Sequence, residues 1–291
     1  MSQGGRRSWS SCRSSAACSS SSPGRWGSTW RASTRRSRDA PCTSSARATV
    51  STPRLLRRLW SRPSRTRVRT EFDRYGETYE AAVDEAISFA GKEHDFYLEA
   101  KARRLLELAR RHLGTGRPSA LDVGCGPGLF DRHLASSFDL HGVDVSPPMV
   151  ERAREANPEA SYRVYDGRRL PYSDGEFDLA FAVCVLHHVD PPDRRALLAE
   201  MARVTRPGGL TLVFEHNPLN PLTRRVVRDC AFDEGVELLG RRELERLYRG
   251  AGLEVLGAEY LLFSPWRMDV LERRLTWLPL GAQYVVAGTK T

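Results

Sequence analysis

The chain lacks any run approaching eighteen apolar residues, so no helical segment is expected to span a membrane. Its first 67 residues contain no lysine and a single acid, Asp39, beside fifteen arginines. That segment carries +14 of a whole-chain charge of +9, which leaves −5 on residues 68–291. It also has almost no aliphatic periodicity before Leu55, and with eighteen serines it cannot bury a core by itself. No apolar stretch accompanies Arg6-Arg7 or Ala16-Ala17-Cys18, which sets aside a twin-arginine signal and a lipoprotein site. Cys125, Cys184 and Cys230 are far apart without CxxC spacing, so reduced thiols in a cytoplasmic protein are expected. G-x-x-x-x-G-K-[ST] is absent, and with it that type of nucleoside triphosphate cradle.

The division that follows is a disordered Arg/Ser-rich tail, 1–67, and one α/β domain, 68–291. Three readings of the tail stay open: an extension that is not translated, a targeting segment, or a basic arm for anionic partners. The basic isoelectric point belongs to that tail, so it does not make the domain a nucleic-acid binder.

Within the domain, apolar spacing predicts a helix over 94–112, stopped by Gly114 and Gly116. Short apolar runs then alternate with helical segments. Strands are expected at 119–123, 139–144, 161–165, 177–185 and 209–215, and helices at about 128–136, 148–156 and 191–205. Pro207-Gly208-Gly209 reads as a break before the fifth strand. An irregular stretch, 216–240, leads to a helix at 241–250, a strand at 253–261, a segment around 265–278 and a last strand at 283–288. Such alternation indicates a parallel sheet built of βαβ units.

Ligands of such sheets bind beyond the carboxyl ends of the strands. Three groups fall there. Gly124, Gly126 and Gly128 form a turn after the first strand that lets backbone approach a ligand. Asp144 closes the second strand, where a carboxylate can accept both hydroxyls of a ribose. Asp166, followed by Gly167, closes the third, within reach of an adenine amine. An adenosine-containing ligand is the expectation. Leu129 stands where a dinucleotide fingerprint needs its third small residue, which disfavours a nicotinamide-dependent oxidoreductase.

Leu121-Asp-Val-Gly-Cys-Gly-Pro-Gly128, Gly142-Val-Asp-Val-Ser146, Asp166-Gly167, Phe177-Asp178-Leu179, Leu186-His187-His188 and Arg206-Pro207-Gly208-Gly209 together resemble the ordered motifs of class I S-adenosylmethionine-dependent methyltransferases. The resemblance covers about residues 72–260. It implies a Rossmann-like seven-stranded, mostly parallel sheet of order 3-2-1-4-5-7-6, with the last strand antiparallel and helices on both faces. It implies S-adenosyl-L-methionine as cofactor, lined by the three glycines, with Asp122 toward the methionine amine, Asp144 on the ribose and Asp166 with Gly167 at the adenine. Met149 corresponds to the residue packed on the adenine face, Cys184 or Val183 to a backbone carbonyl near the methionine amine, and Tyr75 and Tyr79 to aromatics that close over the cofactor. Read from the residues alone, Asp122 also serves as a turn cap and Met149 as core.

Methyl transfer from a sulfonium needs alignment first and a base only for a weakly acidic nucleophile. His188, after the fourth strand, and His216, after the fifth, are the candidate bases. His187, His188, Asp190 and His216 show no metal-ligand spacing, and no metal is expected. Arg224, Arg225 and Arg228 are placed either to grip an anionic group on a small-molecule acceptor or on a solvated helix face. Leu261, Leu262, Phe263, Trp266 and Trp277 either line an apolar pocket or cover the sheet edge. A catalytically inactive cofactor-binding partner or sensor is the alternative function. Nucleic acid is not expected as acceptor, because Asn217-Pro218 continues as Leu219-Asn220 where base-amino methyltransferases need N-P-P-[YF].

Overall fold

A 20-residue helix, α1 (His94–Leu113), opens the part of the chain that the computed structural model describes, which is residues 94–230, 233–262 and 274–291. Leu98, Ala102, Leu105 and Ala109 recur every three or four positions and are all buried, so one face of α1 is committed to the sheet. Gly114 ends it in a left-handed conformation, φ 84°, with its amide donating to Arg110 O at 3.1 Å. The expectations for the tail, Tyr75, Tyr79, Phe263 and Trp266 lie outside the described residues.

The strands follow the expected scheme: β1 (Ser119–Val123), β2 (Asp139–Asp144), β3 (Ser161–Val164), β4 (Phe177–Val183) and β5 (Thr205–His216). Two antiparallel strands, β6 (Leu253–Leu261) and β7 (Gln283–Lys290), complete a seven-stranded sheet of order β3-β2-β1-β4-β5-β7-β6. β1 pairs in parallel with both β2 and β4, so strand order reverses there, and β7 runs antiparallel to β5 and β6.

Period-two alternation sends successive strand residues to opposite faces. Leu121, Val123, Ala180, Ala182, Val213 and Val286 pack with α3 (Pro191–Val204) and α5 (Arg241–Gly250). Ala120, Leu179, Phe181, Leu212, Phe214 and Val285 pack with α1. Each large apolar side chain so enclosed contributes on the order of 1.5–3 kcal/mol. The remaining helices are α2 (Pro147–Ala156), against Tyr162 of β3, and α4 (Pro221–Asp229).

Three elements differ from expectation. In place of a helix over 128–136 there is one 3-10 turn, Asp131–His133. Gly126 and Gly128 both take positive φ, and Asp131 turns inward to 0% exposure, so the segment is pinned to β3 instead of propagating. Arg206–Gly209 does not break the chain before β5. Thr205 already pairs with Phe177, and the register shifts before Leu179↔Leu210, so the glycines form a bulge inside the strand. Finally, 216–240 contains α4, whose cap is Asn220: its side-chain oxygen accepts from Leu222 N at 2.9 Å and Thr223 N at 3.1 Å, with Pro221 following.

Candidate active site

The carboxyl ends of β1, β2, β4 and β5 share one edge of the sheet, and because β7 runs the other way its first residue, Gln283, joins them opposite His216. The glycine turn stands at the reversal of strand order. Each of its glycines is needed for a different reason. A Cβ on Gly124 (φ 85°) would meet Val185 Cγ2 at 2.6 Å, and one on Gly128 (φ 74°) would meet Asn157 Nδ2 at 2.6 Å and Ala153 at 3.1 Å. Those two are dictated by packing, and Asn157 Nδ2 also donates to Gly128 O at 2.9 Å. Gly126 (φ 52°) is different, since nothing lies within 4 Å of where its Cβ would be. Open space therefore lies beside the Gly126 backbone.

Asp144 binds the turn to β2. Its Oδ2 accepts from Gly126 N and its Oδ1 from Ser146 N, each at 2.9 Å. Asp166 is exposed and caps its own turn, Oδ1 accepting from Arg168 N at 2.8 Å and Arg169 N at 3.0 Å. The amides of Arg169 and Arg168 hold its carboxyl below the usual carboxylate range. Gly167 takes φ 73° beside Val145. Met149 is enclosed in α2 at 1% exposure.

Asp122, in β1, is buried beside Asp131. Neither Asp122 Oδ1 nor Asp131 Oδ1 has a hydrogen-bond partner among the described residues. A pair of buried carboxyls accepts this only if one keeps its proton and donates to the other. Burial, reinforced by Asp131 and Asp144, raises the Asp122 carboxyl well above its ordinary value, with Lys101 opposing. Burial likewise raises Asp131 to about 7, against the pull of Tyr162, whose hydroxyl donates to Asp131 Oδ2 at 2.7 Å.

A second group of side chains surrounds the ends of β4 and β5. Cys184 adopts φ 58°, rare for a residue with a Cβ, and donates its amide to Phe214 O at 2.8 Å. Glu215, fully buried, accepts from Leu186 N at 2.7 Å and faces His187 Nδ1 at 2.7 Å. Asp233 Oδ1 stands 3.5 Å from His187 Nε2 and 3.2 Å from His188 Nε2. Burial pulls the His187 imidazole down, and the Glu215 and Asp233 carboxylates reverse this, to about 10. Burial and the His187 charge together lower His188, and they lower His216 to about 4. His216 Nδ1 lies 3.4 Å from Gln283 Nε2, which is also 3.4 Å from Cys184 Sγ. Arg194, 1% exposed, braces this wall by donating from Nε to Leu186 O and Val189 O, both at 3.0 Å.

The expected histidines are thus brought together, and so are Asp122, Gly126 and Asp144. Asp190 takes no part in the cluster: it is the N-cap residue of α3. Glu215, Asp233, Gln283, Asp131 and Arg194 were not singled out from the sequence. Only Gln283 carried a usable signal, a polar residue opening a strand that begins at the ligand edge. Arg224, Arg225 and Arg228 are exposed, and Arg228 Nε pairs with Asp229 at 2.9 Å. Leu261 and Leu262 are 8% exposed and cover the α1 face of the sheet, whereas Trp277 is 70% exposed.

Residues 121–213 match the family described as a methyltransferase domain. An O-methyltransferase of Aspergillus nomiae is 32% identical over 158 residues, half of this chain and 69% of that protein. The 2-methyl-6-phytyl-1,4-hydroquinone methyltransferase of Synechocystis is 36% identical over 122 residues, 38% of each chain. Across it and three further curated relatives, the chain spans between 31% and 55% of their own length. Among solved structures, a methyltransferase of Thermotoga maritima described as a possible histamine N-methyltransferase superposes with a TM-score of 0.57 at 24% identity, over 77% of this chain and 100% of that one.

Proposed function

The chain belongs to the class I S-adenosylmethionine-dependent methyltransferases, and from that premise we propose that it binds S-adenosylmethionine along the edge Asp122–Gly126–Asp144 and methylates a small-molecule acceptor held near His216. The observation that carries this is Gly126, whose missing side chain leaves open space beside a carboxylate that fixes its amide. The Asp122–Asp131 pair fits the same ligand, since two carboxyls sharing one proton keep one negative charge for its ammonium end. When bound, the cofactor supplies an already activated methyl electrophile.

The protein's part is then to hold and align. Asp144, at the end of β2 beside Gly126, would take the ribose hydroxyls, and Asp166 the adenine amine, with Gly167 alongside. Met149, enclosed in α2, would pack beneath the adenine, and Cys184, whose backbone takes φ 58°, would offer its carbonyl to the methionine end.

His216 is assigned as the proton acceptor and His188, engaged by Asp233, as its neighbour in the acceptor pocket. The tautomer matters here. With the Gln283 amide donating to Nδ1, His216 would carry its proton on Nε2 and act as a donor. Turning that amide lets Oε1, which has no partner among the described residues, accept from Nδ1–H and leaves Nε2 as the base. The acceptor class follows the curated relatives named for quinols and tocopherol, an aromatic hydroxyl on a small molecule.

The test is transfer of a labelled methyl group from S-adenosylmethionine to a panel of phenols, hydroquinones and amines. Labelled phenol ether or ring product, lost in His216→Asn while cofactor binding persists, supports the reading. Cofactor binding without turnover on any acceptor would instead favour a binding protein, and retention of full activity by His216→Asn would remove the base assignment.

A further inference from the structure

His187, His188 and Asp233 converge without any spacing in sequence that announces it, and Asp233 Oδ1 faces both imidazoles at distances longer than the shortest charge-assisted pairs. We propose that these three side chains form a binding site for a divalent transition-metal ion of the zinc class, with Glu215 orienting His187 from behind.

Each of the three residues offers one ligand atom within 4.8 Å of the others, and Asp233 Oδ1 faces His187 Nε2 and His188 Nε2. Ligands about 2.0 Å from a tetrahedral zinc ion stand about 3.3 Å apart. Asp233 Oδ1 lies 3.5 Å and 3.2 Å from the two imidazole nitrogens, on either side of that value. A charge-assisted N–H···O bond would close to about 2.7–2.9 Å. Such a bond is present one atom away, between His187 Nδ1 and Glu215 Oε2 at 2.7 Å. The two nitrogens of one ring are therefore used differently.

That difference has a chemical consequence. Glu215 accepts the Nδ1 proton, so an ion that displaces the proton of Nε2 would meet a lone pair directed toward Asp233 and His188. This carboxylate–histidine arrangement fixes ring orientation and raises ligand basicity at metal centres. Glu215 is itself held by Leu186 N, and Arg194 ties the same turn to α3, so the site is built on braced backbone. Two buried carboxylates, Glu215 and Asp233, flank His187, and their negative charge would equally favour a dication there.

The donor set sorts the candidate ions. Two imidazoles and one carboxylate suit zinc, cobalt, nickel or ferrous iron, whereas magnesium and calcium prefer oxygen alone. Three protein ligands leave a fourth position for water or an acceptor oxygen, the arrangement of catalytic rather than structural sites. The His188 side chain, 14% exposed, gives the ion a way in.

The experiment is titration of the full chain, stripped with a chelator, with Co²⁺ followed by visible absorption. One equivalent of Co²⁺ should produce intense d–d bands of tetrahedral coordination, bleached by Zn²⁺. Asp233→Asn, close in shape, should weaken binding at least tenfold with unchanged circular dichroism and S-adenosylmethionine affinity. Absence of the bands in folded wild-type protein, or equal Co²⁺ affinity in a folded Asp233→Asn, would overturn the site and leave a His187 imidazolium between two carboxylates. Loss of cofactor binding in wild-type protein would count against the methyltransferase reading and not against the metal, because the two readouts are separate.

Discussion

At Gly124, Gly126 and Gly128 one residue type answers three different demands, and substitution separates them. Gly124→Ala forces a methyl into Val185 at a left-handed backbone and is expected to cost about 2 kcal/mol of stability or more, read by chemical denaturation. Gly126→Ala meets no atom and should cost about 1 kcal/mol of backbone strain, yet weaken S-adenosylmethionine at least tenfold by calorimetry. The Asp122–Asp131 pair makes a pH prediction. Both folded-state values lie above the unfolded ones, so the folded protein binds more protons than the unfolded chain between about pH 4 and 7. Stability contributed by the protonated pair is therefore complete below about pH 4 and falls as pH rises through about 7. Asp144, Lys101, Cys125 and Tyr162 surround the pair and set its charge balance. Asp131→Asn removes one buried charge and should flatten this slope, raising stability at pH 8 by roughly 1–3 kcal/mol in thermal unfolding followed across pH. A steeper slope in the variant would show that the two carboxyls do not share a proton.

Element by element, what the sequence made legible follows from periodicity. The strands ending in Asp122-Val123, Asp144 and Val183 and the helix beginning at His94 were readable because apolar period and glycine punctuation agree there. Asp131 was hidden because its segment looks helical locally and is decided by a buried contact with Tyr162 across the fold. Asp233 was hidden because it lies in an irregular stretch 45 residues beyond His188, where no spacing rule reaches. Glu215 looked like an ordinary strand residue, and only its burial marks it. The α4 helix was in principle legible, since Asn220-Pro221 is a helix-start signal. Its cap also ties two segments together: Asn220 Nδ2 donates to Leu280 O at 2.7 Å, and Thr223 Oγ1 to Ala282 O at 2.8 Å. Asn220→Ala should therefore cost more than an isolated cap, about 1–2 kcal/mol in denaturant unfolding. It should also raise the acceptor KM, because Ala282 and Gln283 are consecutive. An unchanged KM would separate α4 from the pocket.

On the scale of the whole molecule, a parallel sheet with its order reversal at β1 and β4 collects the residues proposed for the cofactor, and the antiparallel β7 brings Gln283 to the same edge. On the proposed reading, cofactor and acceptor chemistry would sit side by side, the first around Gly126 and Asp144, the second around His216, His188 and Asp233. Among the described residues no helix is long and apolar enough to cross a membrane. The central claim is that the open volume at Gly126 is the S-adenosylmethionine site. Its most direct test is calorimetric titration of the full chain and of Gly126→Val with S-adenosylmethionine, with NADH alongside. Saturable one-site binding of S-adenosylmethionine by the wild type, none of NADH, and loss of binding in a Gly126→Val protein of unchanged circular dichroism is the predicted result. No S-adenosylmethionine binding by the folded wild type, or equal affinity in Gly126→Val, would contradict it.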